Sequence, residues 1–416
     1  MLAGPYSQTA MPSSTKGDSA NRAPAAPAHR VESLTGMRAV AAVMVVGTHA
    51  AYGTGELTHG YVGLLYSRLE IGVPIFFVLS GFLLFEPWVK AAATGVAPPL
   101  LGRYVRRRVR RIAPAYVATV LLVFLVYQFR TVGPNPGHTW AGLLRHLSLT
   151  QIYPGDYMLT YLHQGLTQMW SLAVEAAFYA TLPLLAYLLL TVVCRRRWRP
   201  VVLLAGLAGL AGVSPAWLVV LHTTDWLPNS AGMWLPAYLT CFIGGMALAV
   251  FQAMGARCHA SVALPLALLG YLIVATPIAG AATMGPVRLW EPLIKALLYA
   301  IVATLVVAPL ALGNRGWYSR VLSSRPIVWL GEISYEVFLI HVIVMEVVAT
   351  SVFRWHVFTG SLPQLFVVTL LMTVPLAWAL HRITQPKAAV TTPDDGAAMV
   401  AVPVLSAPLA NPVARS

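Results

Sequence analysis

Apolar residues in this chain come in long blocks, without the two-residue alternation of a half-buried strand. Ten blocks reach the length of a transmembrane helix, which needs about 20 mostly apolar residues. They lie at about 34–53, 61–89, 112–130, 168–193, 201–222, 233–252, 261–280, 292–312, 327–351 and 363–384. The second is long and contains Gly72-Val73-Pro74, so it is expected to tilt or break there. The expected fold is an all-α polytopic membrane protein, because backbone groups in hydrocarbon must bond within their own helix. Residues 131–167 hold two shorter apolar pieces, Trp140–Leu149 and Tyr157–Leu166, expected as re-entrant or interfacial helices of an extracytoplasmic loop. Residues 1–33 and 385–416 lack a periodic apolar pattern and read as disordered cytoplasmic tails around a membrane domain at 34–384. No signal peptide is expected ahead of the first span.

Composition agrees with this pattern. Hydrophobic residues make up 58% of the 416 positions and charged residues 10%, and mean hydropathy is +0.70. A soluble protein carries about 25% charged residues, so a cytosolic enzyme, a secreted globular domain and a disordered chain are excluded. The net charge of +14 does not point to nucleic acid, because the basic residues cluster between spans. With the N-terminus inside, 22 of the 28 Lys and Arg residues fall on the inner side and 4 on the outer, while Arg68 and Lys295 lie within spans. The positive-inside rule then places both termini in the cytoplasm and the chain in the cell's plasma membrane. Three scattered cysteines suit neither a disulfide framework nor a metal site.

Ionisable side chains inside a span are costly and mark functional sites by default. Arg38 and His49 share the first span, eleven residues apart. That is three helical turns within about 20° and about 16 Å of rise, so both point to one face. Glu175, in Trp170–Glu175, lies at a depth similar to that of His49. A carboxylate and an imidazole at equal depth can pair, which holds one ring tautomer and raises its basicity; such a pair can equally be structural. Six arginines between Arg103 and Arg111 open the third span. They form a dense phosphate-binding surface, or serve topology and contact with anionic lipid. His341 lies in the ninth span beside Glu332, Glu336 and Glu346, a set that also suits polar packing between helices. The stretch Gly72–Phe82 has small residues that permit close helix contact or backbone access to a ligand.

Five of these segments, in order, resemble the acyltransferase family 3 of integral membrane acyltransferases. The first runs from Leu34-Thr35-Gly36-Met37-Arg38 to His49, an Arg-(ten residues)-His motif. The second is Gly72–Phe82, close to Gly-Val-x-x-Phe-Phe-x-x-Ser-Gly-Phe. The third is Arg108-Val109-Arg110-Arg111-Ile112-Ala113-Pro114, with Arg-x-x-Arg ahead of Ile-x-Pro. The fourth is Trp170–Glu175 with Phe178-Tyr179, and the fifth runs from Gly331-Glu332-Ile333-Ser334-Tyr335 to His341. The resemblance covers about residues 33–384. Two positions depart from the pattern: Thr35 stands where Asp is usual, and Ala176 where many members have a second acid. The chain looks like the stand-alone form, without an added extracytoplasmic hydrolase-like domain.

The resemblance implies O-acyl transfer from acyl-CoA, a co-substrate, to a hydroxyl of a sugar, glycolipid or glycosylated small molecule. No permanently bound cofactor, metal or nucleic acid is implied; the partners are donor, acceptor and lipid bilayer. Arg108, Arg111 and Arg38 are expected to hold the CoA phosphates, with Tyr179 and Ser80 as further substrate contacts. His49 is expected to act as general base, with Glu175 orienting it. His341 and Tyr179 are candidate oxyanion donors. Direct transfer is favoured over an acyl-histidine intermediate. The competing function is a proton-coupled transporter, which intramembrane His, Arg and Glu also suit, although no paired halves are visible.

Overall fold

The computed structural model describes residues 26–130, 133–154, 162–282, 288–313, 316–356 and 358–385. Most of both expected tails, and residues 157–161 of the second loop piece, lie outside these residues. Among the described residues every regular element is a helix. The chain starts with α1 (Ala26–Gly53) and returns through α2 (Gly60–Ser67), a 3-10 turn at Arg68–Ile71, and α3 (Gly72–Thr94). Next come α4 (Leu101–Phe129), the short α5 (Trp140–Leu147) and α6 (Trp170–Ala186), which runs on as a π-helical turn. α7 (Pro200–Ala211) and α8 (Val213–Thr223) meet at Gly212, followed by α9 (Leu235–Ala253), α10 (Ala260–Val274) and α11 (Trp290–Ala311). The short α12 (Trp317–Leu322) and α13 (Arg325–Glu332) lead to α14 (Ser334–Val347) and α15 (Leu362–Thr384).

Nine helical stretches among the described residues are long and apolar enough to cross a membrane. The protein is therefore an integral membrane protein. The expected seventh span, 261–280, is instead the 15-residue α10, about 22 Å long at 1.5 Å per residue. It still joins the two ends of the bundle. Gln252, just before it, donates to Ala311 O at one end, and Val274 O accepts from Arg68 near the other. The last carbonyl of α10 and those of the turn after it are satisfied inside the protein. Arg68 Nε donates to Val274 O at 2.9 Å, and its Nη2 donates to Ala279 O and Gly280 O at 3.1 and 2.5 Å. A guanidinium there fills orphan carbonyls and complements the helix dipole.

Three boundaries also differ from expectation. The break in the second span falls just before Gly72, as the 3-10 turn that carries Arg68 and Glu70. α4 begins at Leu101 rather than near residue 112, so the arginine run is helical. The span expected at 327–351 is cut at Ile333, between α13 and α14.

The core crossing is between α3 and α9. A Cβ on Gly81 would lie 2.1 Å from Phe242 O, and one on Gly245 2.0 Å from Val78 O. Only glycine lets these backbones touch. Phe242 stacks between Phe77 and Phe178 beside the crossing, with ring centroids 4.5 and 4.0 Å away. We call the end of the bundle holding the starts of α1 and α4 the arginine end, and the opposite end the distal end.

Candidate active site

A cavity opens at the arginine end and encloses about 860 Å³ of empty space, its mouth included. Arg38 of α1 and Arg108 and Arg111 of α4 line it together. Arg108 and Arg111 are three residues apart, so the helix puts them on one face. The buried Nε of Arg108 has no hydrogen-bond partner among the described residues. Ser80, Glu175 and Tyr179 line the same cavity. The Ser80 and Tyr179 hydroxyls both donate to Glu175 Oε1, the latter at 2.5 Å. Backbone acceptors fix the wall: Tyr104 donates to Tyr179 O at 3.0 Å and Tyr335 to Ile112 O at 3.1 Å. The first and fifth motifs meet here for a steric reason. A Cβ on Gly331 would lie 2.1 Å from Thr35 O, so glycine allows α13 to pack directly on α1.

The expected pairing of His49 with Glu175 is not formed. Glu175 is engaged by Ser80 and Tyr179 in the arginine cavity. His49 instead meets His341, whose Nε2 lies 3.3 Å from His49 Nδ1, with ring centroids 5.0 Å apart. The reason is rotational. Arg38 and His49 share a face of α1 in sequence, but α14 rather than α6 supplies the neighbour at the level of His49.

Backbone carbonyls assign the tautomers, since a carbonyl only accepts. His49 Nδ1–H donates to Val45 O at 2.8 Å, which leaves Nε2 as the basic nitrogen. His341 Nδ1–H donates to Phe338 O at 2.8 Å, which leaves its Nε2 as an acceptor facing His49. Neutral His341 therefore has no free N–H to serve as an oxyanion donor, contrary to that expectation. Tyr179 fails in that role as well, because its proton is committed to Glu175 in the arginine cavity. The cavity and the histidine pair are separated by two rings. Phe76 and Phe338 line the cavity with centroids 6.1 Å apart, and Phe338 lies 5.7 Å from His341.

Charges with no role in the sequence reading gather toward the distal end. Glu70 accepts from Lys295 at 2.5 Å and from Tyr299 at 2.8 Å. Their only sequence signal is that ionisable groups stand within spans. Tyr127 donates to Glu346, which also faces Arg130 at 3.6 Å. α5 presents exposed Trp140 and Leu144 on one face and buries Gly142 and His146 on the other, as an interfacial helix does. His138 Nδ1 and His163 Nε2 lie 3.1 Å apart beside it. Burial, with His146 and His138 adding to it, lowers the His163 pKa to about 3. Burial also lowers that of His146. Among the described residues no three His, Cys, Asp or Glu side chains are grouped to hold a metal ion.

Comparison with known proteins identifies the scaffold. A family model described as an acyltransferase domain matches residues 31–382. The acyltransferase MdmB of Streptomyces mycarofaciens is 28% identical over 344 residues, covering 76% of this chain and 79% of that protein. The peptidoglycan O-acetyltransferase OatA of Listeria monocytogenes is 26% identical over 328 residues, 75% of this chain and 49% of the relative. The O-acetyltransferase OatA of Staphylococcus aureus is 22% identical, covering 76% and 52%. The chain thus spans about half the length of the OatA relatives. No solved structure matches it. The chain belongs to the acyltransferase family 3 of integral membrane proteins.

Proposed function

We propose that this acyltransferase takes an acyl group from acyl-CoA at the arginine end and transfers it to a hydroxyl that reaches His49 from the distal side. The observation that carries the reading is the shared lining of one cavity by Arg38, Arg108 and Arg111. Three guanidiniums against the carboxylates of Glu175 and Glu332 leave an excess of positive charge, which suits the phosphates of CoA. The arginine bias of the connecting segments supports a cytoplasmic position for that end and for both termini, on the side of the membrane where acyl-CoA is made.

The pantetheine arm extends along α1, past Phe76 and Phe338, and brings the thioester to His49. This requires the two rings to rotate aside. His49 Nε2 takes the proton of the acceptor hydroxyl as its oxygen attacks the thioester carbonyl carbon. The tetrahedral intermediate collapses with cleavage of the C–S bond, and His49 returns its proton to the CoA sulfur. An ester and free CoA thiol result, with no net proton change. While His49 is an imidazolium, its Nδ1–H stays between Val45 O and His341 Nε2. His341 thus positions the base in place of a carboxylate. Glu175, held by Ser80 and Tyr179, shapes the donor cavity. The peptidoglycan named for the Listeria relative makes an envelope polysaccharide one acceptor class; glycolipids and glycosylated small molecules are others.

The test is thiol release by the purified protein in nanodiscs, with acetyl-, propionyl-, isovaleryl- and succinyl-CoA and a panel of glycosides. We expect acceptor-dependent release that falls about a thousandfold in His49→Ala. Release that survives this substitution would overturn the base assignment. Acylated enzyme accumulating in the absence of acceptor would replace direct transfer by a covalent intermediate.

A further inference from the structure

We propose that Phe76 and Phe338 close an apolar seal between the donor cavity and the histidine pair, and that this seal directs the acyl group to an acceptor hydroxyl rather than to water. The inference rests on the acyl-transfer reading above and adds how its site excludes hydrolysis.

Access from two sides creates the need for a seal. The donor cavity opens at the arginine end, and neither His49 nor His341 lines it. His49 is partly accessible all the same, so the exposure of the base lies outside that cavity. A passage joining the two would bring water from the cavity mouth to an imidazole that activates hydroxyls. Hydrolysis at that base would add the water oxygen to the acyl carbon, break the C–S bond and return the proton to sulfur. A free acid and CoA thiol would result, and the donor would be wasted.

Three helices turn apolar at one level of the cavity. The bond from Ser80 to Glu175 sets α3 and α6 in register, and both helices run from the distal end toward the arginine end. One turn deeper, four residues back on α3 and three back on α6, these polar residues give way to Phe76 and Leu172. α14 runs the other way and makes the same change, from Tyr335 to Phe338. Each step is about 4.5–6 Å of helical rise. All these residues line the cavity. Ser171 also lines it, but its hydroxyl is already engaged with Gln168 O at 3.2 Å. An enclosed water needs two to four polar partners, and a constriction walled by rings and leucine tends to empty of water.

The same geometry lets the seal open without disturbing the base. Phe76 and Phe338 meet edge to face, with centroids 6.1 Å apart and planes at 70°. Ile75 and Phe77, the neighbours of Phe76 on α3, are 2% and 1% exposed, whereas Phe76 keeps accessible surface and lines the cavity. A ring with open space beside it can swing into that space. Phe338 holds His341 through its backbone, since its carbonyl accepts Nδ1–H at 2.8 Å. Rotation of the Phe338 side chain therefore leaves that bond, and the histidine pair, in place. The pantetheine arm parts the rings and fills the opening it makes. The thioester then reaches His49 with no column of water behind it.

The experiment needs no acceptor. Thiol release from the four acyl-CoA donors is followed in nanodiscs without any glycoside, for wild type, Phe76→Ala, Phe338→Ala, Phe338→Leu and Leu172→Ala. Donor binding is measured on the same samples by calorimetry, and folding by thermal unfolding. We expect slow release from wild type and release at least about tenfold faster from each ring-to-alanine variant. Phe338→Leu, which refills part of the space, should fall between them. Donor affinity should change less than about twofold, so that the gain is in the reaction and not in binding. Adding His49→Ala to either alanine variant should abolish the gain, because the same base then activates water. Leu172→Ala widens the collar without removing a ring, should raise release by a smaller factor, and decides the matter if the ring variants unfold. Folded variants that bind donor but release thiol no faster than wild type would overturn the seal. So would a gain that survives His49→Ala, since water would then react without reaching the base. Failure of every acyl-CoA to bind wild type would instead remove the acyl-transfer reading on which the seal depends.

Discussion

The two polar regions of this membrane bundle handle charge in opposite ways. At the arginine end, the three guanidiniums of Arg38, Arg108 and Arg111 line one cavity against the two carboxylates of Glu175 and Glu332. Toward the distal end, charges are matched. Arg68 has three carbonyls, Glu70 has Lys295, and Glu346 has Arg130. Uncompensated charge inside a membrane protein is costly unless a ligand of the opposite sign completes it. A site left positive is therefore built for an anion, and a site left neutral suits an uncharged partner or a structural joint. His49 and His341 lie between the two regions, and neither histidine needs to be charged at rest.

The sharpest way to break this contrast is to neutralise the positive end. Arg108→Gln with Arg111→Gln should raise the acyl-CoA KM about a hundredfold or more, from two charge-assisted contacts of about 1.5–3 kcal/mol each. It should also flatten the salt dependence of donor binding. An unchanged donor KM would mean that the arginines serve topology alone. At the matched end, Arg68→Met should lower stability by about 3 kcal/mol, because three buried carbonyls lose their donor. Thermal unfolding in nanodiscs checks this, and a transition within a degree of wild type would show that Arg68 is dispensable as a cap.

Acid tests the distal loop. His163 is neutral in the fold, with a pKa of about 3, against about 6.5 in the unfolded chain. The unfolded chain therefore binds the proton first as pH falls. The contribution is complete above pH 6.5 and is lost progressively between 6.5 and 3, by about 2 kcal/mol at pH 5. His163→Gln should remove that part of the acid sensitivity seen in a pH series of unfolding transitions. The smallest expected effect is at the hinge of the comparison. His341→Leu should lower kcat about tenfold by freeing His49 to rotate, while His341→Gln, whose amide oxygen can still accept, should lose less. A kcat equal in both variants would argue for packing alone.

Which residues would share one cavity was partly legible along the chain. Arg38, Arg108, Arg111, Ser80, Glu175 and Tyr179 do line one cavity, and His49 stands apart from it on the same helix as Arg38. The partner of His49 was not legible. Depth along a helix follows from counting residues, but azimuth depends on how each neighbouring helix is rotated and tilted. Depth pointed to Glu175 alone, and packing instead set α14, with His341, against α1. Glu70 escaped for a similar reason. Its span was expected to tilt or break at Gly72-Val73-Pro74, but the sequence did not say that the break would be the 3-10 turn Arg68–Ile71 that brings Glu70 to Lys295 and Tyr299 of α11.

The sequence by itself determined that this is a helical membrane protein and where nearly all its spans fall. It could do so because the cost of placing a residue in hydrocarbon is local and needs no knowledge of neighbours. It also carried the family motifs. Tertiary structure decided the short α10, closed internally by Arg68, and the histidine pair formed between residues 292 positions apart. It also decided which charges were left open and which were matched. Those outcomes depend on side chains from separate helices sharing one buried space, where a missing partner costs more than any local preference supplies.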